Sequence, residues 1–300
     1  MSTVLKTNAL CKKYGSKIVT NNISLTINKG DIYGFIGKNG AGKTTFMRQV
    51  LGMAFPNSGE IELFGSKKLN EQRKKIGSLI EAPAIYAKCS AYENMKRMAM
   101  LTSSSDAEVK SILDYVGLGN TGNKSADQFS LGMRQRLGIA IALLGNPEFL
   151  ILDEPINGLD PSGIMEVRDL ILKLNKEKGI TFLISSHLLE ELSKVATCYG
   201  FISNGKLIEE ISAVDLETKC CNRVKIAVDN VEKSAKLLEQ IAPANDIHIY
   251  QNVVFVDSNF DKTAQMNKLL IENGVMVSEM YLHAISLEDY FLKKVGAENG

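Results

Sequence analysis

Hydrophobic and polar positions along the chain follow two different periods between Val4 and about Ile211. Near-continuous apolar runs predict buried strands at Tyr33–Gly37, Phe149–Asp153 and Ile180–Ser186. Stretches with helical spacing separate the strands, as Thr45–Leu51 does after the first one. This alternation predicts an α/β fold in which helices cover a parallel sheet, with polar ends of the strands converging on one site.

The pattern turns helical between Tyr86 and Asn146, where Met, Ala and Leu dominate, which predicts an inserted helical subdomain. Farther along, the turn dipeptide Asn204-Gly205 lies between two short strands and predicts a closing hairpin. We therefore expect a first domain at residues 1–213, with its helical subdomain at about 86–146, and a small second domain at residues 214–300.

The second domain has the order β-α-β-β-α-β. A strand at Arg223–Val228 precedes an amphipathic helix, and Gln251-Asn252 separates two further strands. A helix at Asp261–Asn273 then leads into a strand at Val275–Tyr281. This order predicts a ferredoxin-like α+β domain, followed by a last helix at Ser286–Lys294 whose first hydroxyl can cap it.

Composition narrows the class of protein. The 35 Lys and Arg residues nearly balance the 34 Asp and Glu residues, so no overall field attracts polyanions and nucleic acid is not an expected partner. The five cysteines show no CxxC pairing, and their odd number favours a reducing compartment. Adjacent Cys220 and Cys221 are interpreted as incidental.

No segment has the sequence of a membrane span or a secretory signal. Met1–Lys6 lacks an apolar core, and the longest apolar run, Leu137–Leu144, is far shorter than the ~20 residues that cross a bilayer. We expect the protein to stay in the compartment where it is made and to reach a membrane only through a partner.

A phosphate-binding loop is predicted where the first strand meets the first helix. Residues 37–44 read GKNGAGKT and fulfil the pattern G-x-x-x-x-G-K-[ST]. Glycines let the backbone N–H groups surround a phosphate, and the following helix presents its positive end to it. Lys43 can reach the β- and γ-phosphates, while the Thr44 hydroxyl can bind Mg²⁺. The predicted nucleotide-binding residues here are Gly37, Asn39, Gly40, Ala41, Gly42, Lys43, Thr44 and Thr45.

Two acidic residues lie at the end of the apolar strand Phe149–Asp153. Asp153 is the last residue of the strand, and Glu154 follows it. Asp153 at the strand tip is predicted to hold the metal, and Glu154 to polarise the water that attacks the γ-phosphate. Phosphoryl transfer depends mainly on positioning and charge stabilisation, so one metal anchor and one base nearly complete the chemistry.

With these motifs, the chain resembles the nucleotide-binding domain of ABC transporters from Val4 to about Ile211. Residues 129–136, FSLGMRQR, are similar to the family's signature motif L-S-G-G-Q, whose Ser and second Gly correspond to Ser130 and Gly132. The resemblance implies that both residues contact the γ-phosphate of ATP held by the opposite subunit of a head-to-tail homodimer. Leu131 and Met133 depart from the usual signature and bear on the hydrolysis rate.

The resemblance assigns three further residues. Asp160, within the stretch Gly158–Pro161, matches the loop that communicates across the dimer, although an aspartate followed by proline also starts a helix. His187 follows a buried strand, as does the family's switch histidine that contacts the γ-phosphate. Tyr14 falls where the family places an aromatic ring on the adenine.

A departure from the family occurs at Glu81, which ends the strand Ile76–Glu81 where most members have a glutamine that contacts Mg²⁺. A carboxylate can also bind Mg²⁺, but its charge repels ATP phosphates when no metal is bound. Together with Ala82-Pro83 and Leu287–Phe291, this residue resembles the subgroup of bacitracin-resistance and lantibiotic self-protection transporters.

The resemblance therefore implies an ATPase, with ATP and Mg²⁺ as cofactors, that drives a separate integral membrane permease. We expect it on the cytoplasmic face of the membrane, coupled to the permease through a groove near Glu81 to Tyr92. The expected cargo is an antimicrobial peptide or drug of the lantibiotic or bacitracin kind, which is exported. One alternative is a soluble ABC ATPase acting on DNA or ribosomes, although a second nucleotide domain and a long coiled-coil insertion are both missing from the sequence. Another is a degenerate ATP-binding regulatory subunit, which the changed signature favours and the intact Lys43 and Glu154 oppose.

Overall fold

The computed structural model describes residues 2–220, 222–284, 287, 289–291 and 294. The chain forms two compact units, Met1–Ala213 and Val214–Gly300. In the described part the strands are β1 (Thr3–Tyr14), β2 (Lys17–Ile23), β3 (Thr26–Asn28), β4 (Ile32–Ile36), β5 (Ser58–Leu63), β6 (Ile76–Leu79), β7 (Phe149–Asp153), β8 (Thr181–Ser186), β9 (Cys198–Ser203), β10 (Lys206–Ser212), β11 (Asn222–Val228), β12 (Ile247–Tyr250), β13 (Val253–Val256) and β14 (Val277–Ala284). The helices there are α1 (Lys43–Leu51), α2 (Leu69–Gln72), α3 (Ala91–Thr102), α4 (Asp106–Tyr115), α5 (Leu131–Ala142), α6 (Pro161–Lys178), α7 (Leu189–Ser193), α8 (Ala213–Lys219), α9 (Val231–Leu238) and α10 (Thr263–Glu272).

The first unit contains two sheets. One is an antiparallel sheet in which β1 pairs with β2, β3 and β5. The other has the order β10-β9-β4-β8-β7-β6, with parallel pairing from β9 to β6 and an antiparallel edge formed by β10. Every residue of β4, β7 and β8 is buried, as expected for strands covered on both faces. The predicted α/β fold is confirmed.

Parallel pairing brings the carboxyl ends of three central strands to one edge of the larger sheet. In the register of the sheet, Ile36 of β4 lies beside Ser186 of β8, and Ser185 lies beside Asp153 of β7. The loop after β4 and the polar residues after β7 and β8 therefore meet at this edge, where α/β sheets place their ligands.

Local signals predicted most of the elements around this edge. The predicted strand Phe149–Asp153 is β7, and the helix after the loop begins at Lys43, two residues earlier than its apolar periodicity suggests. The earlier start follows from Gly42, which caps α1 in the left-handed conformation. The antiparallel sheet was not predicted as a separate layer, because register shifts interrupt the ladders of β1 and weaken its alternation.

The C-terminal unit is a four-stranded antiparallel sheet of order β12-β13-β11-β14, with α9 and α10 completing the order β-α-β-β-α-β. This is the predicted ferredoxin-like arrangement. Its core joins alternate residues of β11 and β13 to the two helices, and contains Val224, Ile226, Val254, Val256, Leu238, Met266 and Leu270. The predicted helix Ser286–Lys294 lies partly outside the described residues, and Leu287, Asp289–Phe291 and Lys294 are helical.

Among the residues that the structure describes, no helix combines the length and the apolar character that a membrane span requires.

The contact between β6 and α5 allows no side chain at Gly77. A Cβ at this position would lie 1.9 Å from the carbonyl oxygen of Ala142, which is backbone and cannot rotate away. Gly77→Ala should therefore lower the free energy of unfolding by about 1–3 kcal/mol through overpacking. Thermal unfolding should show a lower midpoint for this variant and little change for Ser78→Ala, on the same strand. Equal midpoints for both variants would contradict the close packing.

Candidate phosphate and metal site

The loop between β4 and α1 is held tightly against neighbouring backbone. Gly40 and Gly42 have φ values of +81° and +109°, which glycine adopts at low cost. A Cβ on Gly42 would lie 2.5 Å from the carbonyl oxygen of Val19, and a Cβ on Gly37 would lie 2.5 Å from that of Ile202. Gly40 is therefore required by conformation, Gly37 by space and Gly42 by both, and the loop forms a narrow turn.

The start of α1 supplies donors for an anion. The backbone N–H groups of Lys43, Thr44 and Thr45 lie in the first turn, where a helix offers them no intrahelical acceptor, and the helix dipole is positive there. The Lys43 side chain is only 5% exposed, and its Nζ donates a hydrogen bond to the carbonyl oxygen of Gly37 at 2.6 Å. Asn39 and Gly40 are exposed at the tip of the loop, while Ala41 is buried. The loop can therefore surround a phosphate with N–H groups and one ammonium group.

Asp153 connects this loop to the central strands. Asp153 is 3% exposed, and its Oδ2 accepts a hydrogen bond from the Thr44 hydroxyl at 2.7 Å. The other oxygen, Oδ1, accepts a hydrogen bond from the Ser185 hydroxyl. A hydroxyl and a carboxylate oxygen side by side are hard ligands of the kind that Mg²⁺ binds, so the donor set fits this ion.

The Glu154 carboxylate lies between a cationic partner, Lys43, and a hydrogen-bonding partner, His187. Its Oε1 lies 3.1 Å from Lys43 Nζ, and its Oε2 lies 2.8 Å from His187 Nδ1. Its backbone has a φ of +50°, a left-handed conformation that costs a non-glycine residue roughly 1–2 kcal/mol. The surrounding contacts therefore hold this residue in an unfavourable conformation, as is typical of functional sites.

Glu81 lies outside this cluster. Its carboxylate is 64% exposed and accepts a hydrogen bond at 2.6 Å from Nη2 of Arg48, on the helix that begins at Lys43. The structure thus gives Glu81 a cationic partner, and among the described residues no hydrogen bond joins its side chain to Thr44 or Asp153. Its metal-binding role stays a prediction.

The predicted signature and dimer-loop residues form a second region, at the starts of α5 and α6. Ser130 caps α5 by accepting the N–H of Met133 at 3.1 Å, and Asp160 caps α6 by accepting the N–H of Gly163 at 3.2 Å. A Cβ on Gly132 would lie 3.5 Å from the Cα of Gly163, so the two helix starts are close neighbours. Ser130 and Asp160 are exposed, and their side-chain hydrogen bonds stay within their own caps.

Tyr14 is the last residue of β1 and is 51% exposed. The Nζ of Lys12 lies 4.9 Å from the centre of its ring. The ring is therefore accessible for stacking, with a cation beside it.

Two residues that contact the predicted site residues were not predicted from the sequence, Ser185 and Arg48. Ser185 bonds to Asp153 and Glu154, and Arg48 bonds to Glu81. The only local signal for Ser185 is a hydroxyl side chain near the end of the run Ile180–Ser186, which also contains Thr181 and Ser186.

A groove lies beside Glu81 in the region predicted to dock a membrane partner. Its volume is about 290 Å³. Arg48 and Glu81 are the charged residues that line it. Much of the remaining lining is apolar and includes Met53, Leu79, Pro83, Met98 and Ile141.

The chain is similar in sequence and in fold to ATP-binding proteins of ABC transporters. Residues 20–157 match the family model described as ABC transporter. The bacitracin transport ATP-binding protein BcrA of Bacillus licheniformis is 42% identical over 301 residues, covering 99% of this chain and 98% of that protein. The lantibiotic transport ATP-binding protein SrtF of Streptococcus pyogenes is 46% identical over 207 residues, covering 69% of this chain and 90% of that protein. A solved ATP-binding subunit of an ABC transporter superposes with a TM-score of 0.64 at 26% identity, over 72% of this chain and 93% of that structure.

The geometry of the loop predicts the effect of Gly42→Ala. The added Cβ meets the Val19 carbonyl oxygen at 2.5 Å and is strained at a φ of +109°. The loop must then open, and affinity for a fluorescent ATP analogue should fall by roughly tenfold or more, about 1.4 kcal/mol.

Gly65→Ala is the matched control, because Gly65 has a φ of +71° with nothing within 4 Å of its Cβ position. It carries similar backbone strain away from the loop and should keep the affinity of the unmodified protein. Equal affinities for both variants would show that the loop does not need its narrow turn.

Proposed function

The chain belongs to the ABC transporter ATP-binding proteins, and from that premise we propose that it powers the export of bacitracin-like or lantibiotic-like antimicrobial peptides. The ATPase activity belongs to the family, whose subunits work with membrane permease components. The cargo is inferred from the relatives named for bacitracin and lantibiotic transport. The bacitracin relative supports this most, because its similarity extends over 99% of the chain and so includes the C-terminal unit.

The single observation that carries the catalytic part is the contact of Glu154 with both Lys43 and His187, beside the bonded pair of Thr44 and Asp153. We propose that the loop binds the phosphates of ATP through the N–H groups of α1. Lys43 would then exchange its contact with Glu154 for the β- and γ-phosphates, where its charge stabilises the transferred group. Tyr14 would stack on the adenine.

Thr44 and Asp153 would hold Mg²⁺, which when bound offsets negative charge on the phosphates. We propose Glu81 as a third residue for this ion. Arg48 bonds to Oε1 of Glu81 at 2.6 Å. The ion would therefore be bound by Oε2, or by Oε1 after the ion pair has opened.

Glu154 would act on the attacking water. Its carboxylate is 20% exposed, so it is accessible from the site while its backbone is fixed by Ser185. Once Lys43 has moved to the phosphates, the carboxylate can accept a hydrogen bond from the water and orient it towards the γ-phosphorus. His187 would hold the carboxylate in place and contact the γ-phosphate.

The exposed starts of α5 and α6 suit a second copy of the chain. We propose that Ser130 and Gly132 of one copy close over ATP bound to the other, while Asp160 lies at the same interface. The groove beside Glu81 would dock the permease, which holds the protein at the cytoplasmic face of the membrane. Met53 and Phe55, 64% and 79% exposed, add apolar surface for such a partner.

Glu154→Gln tests the proposed activity and cargo together. The amide keeps the size of the side chain but cannot accept a proton from water, so phosphate release should fall about 10²–10⁴-fold. In cells that carry the native permease, the minimum inhibitory concentration of bacitracin or a lantibiotic should fall severalfold.

Glu148→Gln is the control, because Glu148 immediately precedes β7 and forms an exposed ion pair with Lys75 at 3.4 Å. It should keep both activities. Negligible phosphate release from the unmodified protein would favour a degenerate regulatory subunit. Normal hydrolysis with unchanged peptide sensitivity would instead reject the cargo and leave the ATPase.

A further inference from the structure

Ser185 is a fully buried polar residue at the centre of the site, and none of the predicted roles includes it. It is 0% exposed and lies in β8, in register with Asp153 on the neighbouring strand. Its hydroxyl donates a hydrogen bond to Asp153 Oδ1 and accepts one from the backbone N–H of Glu154 at 2.9 Å. One side chain thus contacts two consecutive residues with different predicted roles.

The first contact fixes the orientation of the Asp153 carboxylate. Because Ser185 occupies Oδ1, the other oxygen, Oδ2, is directed to Thr44 at 2.7 Å. Without the serine hydroxyl the carboxylate would lose a donor in a site where it is 3% exposed, and it could rotate to satisfy Oδ1 elsewhere. The position of Oδ2 beside the Thr44 hydroxyl therefore depends on Ser185.

The second contact fixes the backbone of Glu154. This residue has a φ of +50°, and the hydrogen bond from its N–H to Ser185 helps to hold that conformation. The direction of its side chain, towards Lys43 and His187, follows from the backbone. A change at Ser185 should therefore move the carboxylate that acts on water.

We propose that Ser185 is a positioning residue for ATP hydrolysis, which couples the orientation of the metal-binding Asp153 to that of the base Glu154. The proposal rests on the proposed function. Through one hydroxyl, the metal anchor and the base are held at a fixed separation, and a displacement of about 1 Å in such a group can cost on the order of a hundredfold in rate.

Another buried hydroxyl on β8, that of Thr181, bonds to a backbone N–H group and serves as the control for Ser185. Thr181 is also 0% exposed, has the same side-chain parity in β8, and its Oγ1 accepts the N–H of Gly30 at 3.0 Å. Thr181→Val removes a buried hydroxyl far from Asp153 and Glu154, so it reports the cost of losing such a bond without a change in the site.

The test compares Ser185→Ala with Thr181→Val in the full-length protein. For Ser185→Ala, kcat should fall on the order of tenfold to a hundredfold, with little change in KM for ATP. Electron paramagnetic resonance should show severalfold weaker binding of Mn²⁺ in the presence of a non-hydrolysable ATP analogue. Affinity for the same analogue in EDTA should be unchanged, because the loop is intact. Thr181→Val should match the unmodified protein in all three measurements.

Ser185→Thr keeps the hydroxyl and should restore Mn²⁺ binding and most of kcat. If Ser185→Ala lowers the melting temperature as Thr181→Val does but leaves kcat and Mn²⁺ affinity unchanged, Ser185 is structural only and the proposal is wrong. An unmodified protein that binds the analogue and Mn²⁺ but releases no phosphate would overturn the proposed function, while the Mn²⁺ comparison would still decide the role of Ser185 towards Asp153.

Discussion

A buried carboxylate must have hydrogen-bond donors, and in this protein that requirement joins three elements at one point. Asp153 ends β7 and is 3% exposed, and its two oxygens accept from Thr44 on α1 and Ser185 on β8. Leaving either oxygen without a donor would cost about 1–3 kcal/mol or more for a charged group. The loop before α1 and the ends of β7 and β8 are thereby held together by one side chain.

The charges around this point explain how the site can respond to a nucleotide. Lys43 is buried and contacts Glu154, so a cation and an anion neutralise each other within the site. Phosphates bring negative charge that competes for the same ammonium group. In the proposed function, nucleotide binding would therefore change the partner of Lys43 and leave Glu154 with His187, so that its carboxylate becomes available as the base.

The sequence predicted the parts of the site that depend on neighbouring residues. The loop at Gly37–Thr44 requires glycines at positive φ, and β7 has four consecutive apolar residues before Asp153, so each is visible within a few residues. Contacts between distant strands were not visible. Ser185 meets Asp153 across 32 positions, and the pair of Glu81 with Arg48 spans 33, so both depend on strand pairing and packing that local patterns do not specify. The same limit applies to the antiparallel sheet around β1.

The most direct test of the account is calorimetric titration of ATP and Mg²⁺ into Lys43→Ala, with Glu154→Gln present in every sample to prevent turnover. Lys43 is the side chain expected to bind the phosphates, and charge-assisted hydrogen bonds of this kind contribute about 1.5–3 kcal/mol each. Affinity for ATP should fall by more than tenfold, while the thermal unfolding midpoint changes little. Undiminished affinity would contradict this expectation, because the loop would then not be the phosphate site.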